Sequence, residues 1–265
     1  MDYDDYYILC KKEYEKTNKV NIRSSFYEDP VKIYDTEFFG KKYLNIVNDL
    51  SDKIKRDFDT KISCSSDGLM VKHMDLWKFE QEIENLCSLF VPYLEQNVYG
   101  CYVYVDKIYI YRTMPVKNRT SSYDWHYDNN PDEIIKNLIY LNDVGELNSP
   151  FEFLSNKQRK GILIKSSRRG TVNWRPAPFN SRLNHRIEEL ANKGFSPCKV
   201  TGKKGTMISF VNNAAHRVNP LIEGYRDVLN IRVKPTIKKV NSYISPSHTT
   251  SYETKGVVNR NPEII

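Results

Sequence analysis

No stretch of this 265-residue chain approaches the roughly 18 uninterrupted apolar residues of a membrane-crossing helix, so no spanning segment is expected. The first residues, Met-Asp-Tyr-Asp-Asp-Tyr-Tyr, are acidic and lack the basic start and apolar run of a signal peptide. Cysteine is sparse and odd in number: Cys10, Cys64, Cys87, Cys101 and Cys198 contain no Cys-X-X-Cys pair. That argues against both a disulfide framework and a zinc site, and for reduced thiols in a cytoplasmic setting. There is no internal repeat and no long low-complexity tract. The composition is that of an ordinary globular protein, 40% hydrophobic and 28% charged, with ample length for a proper core.

Histidine is also scarce, at five residues, and its placement is informative. His126-Tyr-Asp128 lies ninety residues before His216, and Arg226 follows ten further on. On a strand, residues i and i+2 share a face, so His-X-Asp aims an imidazole and a carboxylate at one point. Two histidines and one carboxylate on one side of an ion make the facial triad of non-haem Fe(II) oxygenases, which leaves coordination positions open for a co-substrate and O₂. An arginine just after the distal histidine can grip the far carboxylate of a 2-oxo-acid in its planar fork. A second copy of the motif, His73-Met-Asp75, reads differently. Leu76, Phe79, Ile83, Leu86, Phe90 and Leu94 follow it at helical spacing, which makes Asp75 an N-cap or first-turn residue.

Around these motifs the period changes from helix to strand. Residues 1–35 are polar and tyrosine-rich with no clear period. Thr36–Phe58 and then about Asp75–Gln96 read as helices, separated by the Ser63–Gly68 loop. From Val98 the pattern alternates: Tyr99–Val105 and Lys107–Met114, joined near Asp106, then Ile134–Leu141 and Pro150–Leu154. Ser181–Lys193 looks helical, with Leu183, Ile187, Leu190 and Ala191 buried and Gly194 at its end. Thr206–Val211 and Arg226–Val233 are strands, with His216 on a loop between them. Helices first and strands afterwards indicate an α+β chain with an antiparallel sheet core. We expect a helical support region over 1–97, a core over 98–235 with an insert at 155–186, and an arm over 236–265, together one domain.

Trp125-His-Tyr-Asp128, Lys136-Asn-Leu-Ile-Tyr-Leu-Asn-Asp-Val144 and Asn148-Ser-Pro-Phe-Glu-Phe153 resemble the phytanoyl-CoA dioxygenase-like branch of the Fe(II)/2-oxoglutarate oxygenases. Gly205-Thr-Met-Ile-Ser-Phe210, Ala215-His216-Arg217-Val218 and Gly224-Tyr-Arg226 are similar to that family's second half. The resemblance covers residues 98–235. It implies a double-stranded β-helix, a cupin-like jelly roll, buttressed by N-terminal helices. It also implies that His126, Asp128 and His216 bind Fe(II) as the catalytic centre, and that 2-oxoglutarate is oxidised by O₂ to succinate while a substrate C–H bond is hydroxylated. A carboxylate at Asp128, rather than a small residue, favours hydroxylation over halogenation. Two positions depart from the family: Ser149 stands where glycine is usual. Val228 stands where some relatives place a hydroxyl beside the 2-oxoglutarate arginine, so a second carboxylate contact must come from elsewhere.

Each assignment has a plainer competitor. Arg226 is the expected 2-oxoglutarate ligand against a surface strand arginine, with Arg232, on the same face, as the fallback. Tyr111 and Thr113 share a face of the strand leading to the metal motif and could contact 2-oxoglutarate or simply pack. Trp125 points away from the His126 face and reads as packing. Residues 156–186 carry nine basic residues and no acid, while the whole chain is only +7, so the remainder sums to −2. That run is either a solvated face or a lid for an anionic small-molecule substrate, with Arg168, Arg169, Trp174 and Arg175 as its contacts. Trp174 beside Arg175 could stack on a base, but there is no recognisable nucleic-acid-binding module. The rival functions are a catalytically inactive binding or regulatory member of the same fold, an oxygenase acting on nucleic acid, and a metal cupin that needs no oxo-acid.

Overall fold

The computed structural model describes residues 3–23, 25–60, 70–72, 76–115, 121–128, 130–164, 183 and 186–244. It opens with helix α1 (Tyr3–Glu15), in the region that showed no period. Tyr3, Tyr6, Tyr7, Cys10 and Tyr14 are buried, a helix face written in tyrosines rather than aliphatics. Strand β1 (Val31–Tyr34) and helix α2 (Gly40–Thr60) follow. α2 starts later than the expected Thr36. Asp35 Oδ1 accepts the N–H groups of Glu37 and Phe38 in a turn, and the chain enters the helix through Gly40 at a left-handed φ of 80°. Tyr43, Val47, Leu50, Ile54 and Phe58 then form its buried face. Strand β2 (Met70–Lys72) and a 3-10 turn at Leu76–Phe79 precede helix α3 (Glu80–Leu94). α3 runs into a π turn at Glu95–Tyr99, which carries the helical backbone three residues past the expected end at Gln96.

The remaining elements are β3 (Tyr102–Thr113), β4 (Ile135–Tyr140), β5 (Phe151–Ser155), the short α4 (Ile187–Asn192), β6 (Ser196–Val200), β7 (Met207–Val211), β8 (His216–Val218) and β9 (Arg226–Thr236). They build two antiparallel sheets, a six-stranded one in the order β1-β7-β4-β9-β3-β2 and a three-stranded one in the order β6-β5-β8. This is the expected double-stranded β-helix. The long helices pack with Val103, Val105, Ile108, Ile110, Ile135, Ile139, Leu229, Ile231 and Val233 in one cluster on one face of the large sheet. A second cluster holds Leu138, Tyr140, Ile208, Phe210 and Val228 of the large sheet with Phe151 and Phe153 of the small one, so it fills the space between the sheets. No helix of the described residues is long and apolar enough to cross a membrane.

Several local expectations change. The two strands expected to meet at Asp106 are a single strand, β3, with a bulge: the register to β9 slips between Val105 and Lys107. The extra residue reverses the alternation, so Val103 and Val105 before it and Ile108 and Ile110 after it all reach the helices. α4 is shorter than the expected Ser181–Lys193, because Leu183 donates its N–H to the carbonyl of Trp125 and so lies outside the helix. Leu183 and Leu190 are buried as expected, but Ile187 is half-buried and Ala191 exposed. β6, a polar edge strand interrupted by Pro197, was not anticipated. β9 continues three residues past Val233, and the chain then returns to α3, where Glu84 accepts the N–H groups of Tyr243 and Ile244. Residues 1–97 are therefore not purely helical, since β1 and β2 form the two edges of the large sheet.

Candidate active site

His126 and His216 are backbone partners. Each donates its N–H to the other's carbonyl, at 3.0 and 2.9 Å, so His216 opens strand β8 instead of lying on a loop. Residues opposed in this way project their side chains from the same face, and the two rings lie 4.3 Å apart between centroids. Asp128 is tied to the same corner by its N–H, which donates to the carbonyl of Asn212. One ligating atom from each of His126, Asp128 and His216 lies within 4.8 Å of the others, and among the described residues this is the one such group of His, Cys, Asp or Glu. His73 and Asp75 lie outside the described residues.

Ring orientation is set by the backbone. His126 Nδ1 is 2.8 Å from the carbonyl oxygen of Asp124, and His216 Nδ1 is 2.7 Å from that of Ala214. A carbonyl only accepts, so each Nδ1 carries the proton and each Nε2 keeps its lone pair, the nitrogen that could ligate a metal. Burial by itself would raise the Asp128 carboxyl, but the Lys136 ammonium at 2.6 Å and the two imidazoles outweigh it and hold the group well below the usual carboxylate range. Burial and the neighbouring His126 push His216 down to about 3. At neutral pH the corner offers a carboxylate and a neutral His216, the protonation states that metal binding demands. Phe151 stacks on the His216 ring at 5.6 Å, and Phe210 lies tilted against it at 4.9 Å, so the two wall off one side.

Arg226 lies inside the barrel, fully buried. It donates Nη1 to the carbonyl of Ser149 and Nη2 to Thr113 Oγ1, directly opposite it on β3, while Nε has no partner. The other two buried arginines each hold a carboxylate: Arg112 grips Asp227, and Arg232 grips Asp106. Arg226 holds none among the described residues. Ser149 reaches it in a left-handed backbone conformation, φ 61°, stabilised by the hydrogen bond from its hydroxyl to the carbonyl of Asn219. This accounts for the glycine usual at that place in the resembling family. Tyr111, opposite Val228, is on the same interior face, and its hydroxyl meets the side chain of Asn230.

Arg232, the fallback, donates Nε and Nη2 to Asp106 and lies six residues along β9 from Arg226. Trp125 packs with Leu154, Leu183 and Ala215 under the Arg217 guanidinium. Arg168, Arg169, Trp174 and Arg175 lie outside the described residues. Lys136 escaped notice in the sequence, although its alternation with Leu138 and Tyr140 places a charge on an inward face.

No protein-family model matches the chain, and no curated protein is similar to it. Solved structures are. The non-haem α-ketoglutarate-dependent epimerase SnoN from nogalamycin biosynthesis superimposes with a TM-score of 0.52 at 11% identity, covering 88% of this chain and 83% of that one. HygX from Streptomyces hygroscopicus, with nickel, 2-oxoglutarate and hygromycin B bound, gives 0.50 at 15% identity over 81% of this chain and 86% of its own. EctD from S. alaskensis with bound Fe gives 0.50 at 15% identity over 84% and 81%. The shared feature is the fold, that of the Fe/2-oxoglutarate-dependent oxygenases, and it does not single out the phytanoyl-CoA dioxygenase-like branch.

Proposed function

We propose that this protein is a non-haem Fe(II)/2-oxoglutarate-dependent oxygenase that hydroxylates a C–H bond of a small, anionic substrate. The observation that carries the reading is Arg226, a fully buried guanidinium with no carboxylate partner among the described residues, in the same barrel as a two-histidine, one-carboxylate corner. A buried charge left unpaired is costly, and a bound anion removes that cost. The donor set fits the metal: two Nε2 ligands held in one tautomer and one ionised carboxylate match the facial triad.

His126, Asp128 and His216 would hold the iron, and Arg226 the far carboxylate of 2-oxoglutarate, with Thr113 fixing the guanidinium and the Tyr111 hydroxyl as a further contact. Together iron, 2-oxoglutarate and O₂ supply the oxidising chemistry. The protein's own residues do the positioning. Lys136 keeps Asp128 ionised and occupies its Oδ2. The Phe151 and Phe210 rings keep water from the His216 side. The test is succinate release from 2-oxoglutarate with Fe(II), screened over acidic metabolites, amino acids and nucleotides, with the product weighed. A product that gains one oxygen atom is expected. Succinate release with a product of unchanged mass would replace hydroxylation by epimerisation, as for the epimerase SnoN. A folded His216→Ala protein that still releases succinate would discard the triad.

A further inference from the structure

The face of the large sheet turned toward the small sheet carries a second cationic feature, distinct from Arg226. Lys107 on β3 and Lys136 on β4 are both register partners of Arg232 on β9, so the three form one row across adjacent strands. Opposed residues share a face and adjacent strands lie about 4.8 Å apart, which sets three cationic side chains within a span of about 10 Å. At its β4 end the row meets the metal corner, where Lys136 contacts Asp128 and its next register partner, Phe210, lies against His216. Lys234, two residues beyond Arg232, adds a fourth cation.

The charges do not balance. Asp106, fully buried in the β3 bulge, is shared by Arg232 and Lys234, and Asp128 is taken by Lys136. Four cations against two carboxylates leave an excess of +2 before any metal is counted. Lys107 is the unmatched member: half-buried, with no carboxylate in contact among the described residues. Burial and the neighbouring Arg232, partly offset by the Asp106 carboxylate, push its amine down to about 8, so holding its charge there already costs free energy. The buried Asn230 Oδ1, in the next row, has no partner either. Structural duty explains Arg232 and Lys234, which anchor the bulge, but not Lys107. Nor can one small co-substrate serve both cationic ends, since Arg226 and Arg232 are six residues apart on one strand, about 20 Å at 3.3 Å per residue.

We propose that the Lys107–Arg232–Lys136 row is the subsite that binds the oxyanion of the primary substrate, a phosphate or carboxylate group held beside the metal corner. This rests on the oxygenase reading and deepens it. It moves substrate recognition from the basic 155–186 segment to the barrel wall.

The experiment uses full-length protein loaded with Mn(II) and saturated with 2-oxoglutarate. Inorganic phosphate and acetate are titrated in parallel, and the paramagnetic broadening of their NMR signals is recorded. Broadening that saturates is expected for one of them: phosphate would mark a phosphoester substrate, and acetate a carboxylate. Lys107→Met should weaken that affinity about tenfold, the loss of one charge-assisted contact, and Lys107→Arg should restore most of it. The affinity for 2-oxoglutarate should be unchanged in both variants. Equal anion affinity in wild type and a folded Lys107→Met protein, or no broadening of either probe, overturns the subsite. Protein that loads Mn(II) but binds no 2-oxoglutarate sinks the oxygenase reading instead, and the phosphate and acetate titrations still judge the row.

Discussion

At the scale of single residues, a buried charge is informative when its partner is missing. Among the described residues, Arg226 is bonded only to a carbonyl and a hydroxyl. Arg226→Met should therefore leave the ligand-free protein at least as stable as wild type, because it removes an uncompensated charge. The same substitution should abolish the rise in melting temperature that 2-oxoglutarate gives the wild type. Arg226→Ala should weaken 2-oxoglutarate ten- to a hundredfold, about 1.5–3 kcal/mol, with metal binding intact. Titrations that match wild type would remove Arg226 from the site. Glu133 is the acidic counterpart. It is buried, it accepts the Tyr27 hydroxyl at 2.6 Å, its other oxygen is unpartnered, and burial raises its carboxyl to about 7. A folded-state value above the unfolded one means stability that is fully present below about 4.5 and lost as pH rises through about 7. Thermal melts at pH 5 and pH 8 should show wild type losing stability between them, on the order of 3 kcal/mol at most. Glu133→Gln should lose less over the same interval, and equal losses would show that Glu133 is not the titrating group.

Elements were legible in proportion to how purely apolar their buried faces are. α2 and α3 announced themselves through Leu, Ile, Val and Phe at helical spacing. α1 did not, because its buried face is Tyr3, Tyr6, Tyr7 and Tyr14, residues equally at home in strands and turns. β6 hid for a similar reason: Ser-Pro-Cys-Lys-Val pairs along one edge of β5 with little apolar alternation to betray it. β3 was misread at the point where its parity reverses, since a bulge and a turn leave the same mark in a sequence. The bulge is held by Asp106, whose carboxylate is fully buried between Arg232 and Lys234. Asp106→Ala strands both cations and should cost about 3–5 kcal/mol in urea denaturation. Adding Arg232→Met should recover part of that loss. A single variant as stable as wild type would mean that the bulge does not depend on this cluster.

Across the whole molecule, the grouping of His126, Asp128 and His216, with Arg226 in the same interior, was legible from spacing because strand geometry ties i to i+2 and a short loop ties His216 to Arg226. The meeting of Lys107, Lys136 and Asp106 was not, since it depends on which strands are neighbours and in which register, and the sequence is silent on both. The basic 155–186 segment gives the contrasting expectation. If it steers an anionic substrate, Arg168→Gln with Arg169→Gln should weaken the substrate and flatten the salt dependence of its affinity, because charges beyond about 8 Å are screened at physiological ionic strength. Unaltered kinetics and salt dependence would leave recognition to the barrel wall.

The reciprocal hydrogen bonds between His126 and His216 also govern when the metal corner can come into being during folding. Its two histidines lie ninety residues apart, and β4 to β7 are all threaded between them. A zinc finger gathers its ligands locally and lets the ion nucleate the fold. Here the ring pair exists only after a long loop has closed and the small sheet has found its register, which is late in a topology rich in non-local pairings. An ion added to the unfolded chain should therefore not hasten refolding. Metal uptake should track the slowest phase, so that a bound ion reports completion of the barrel.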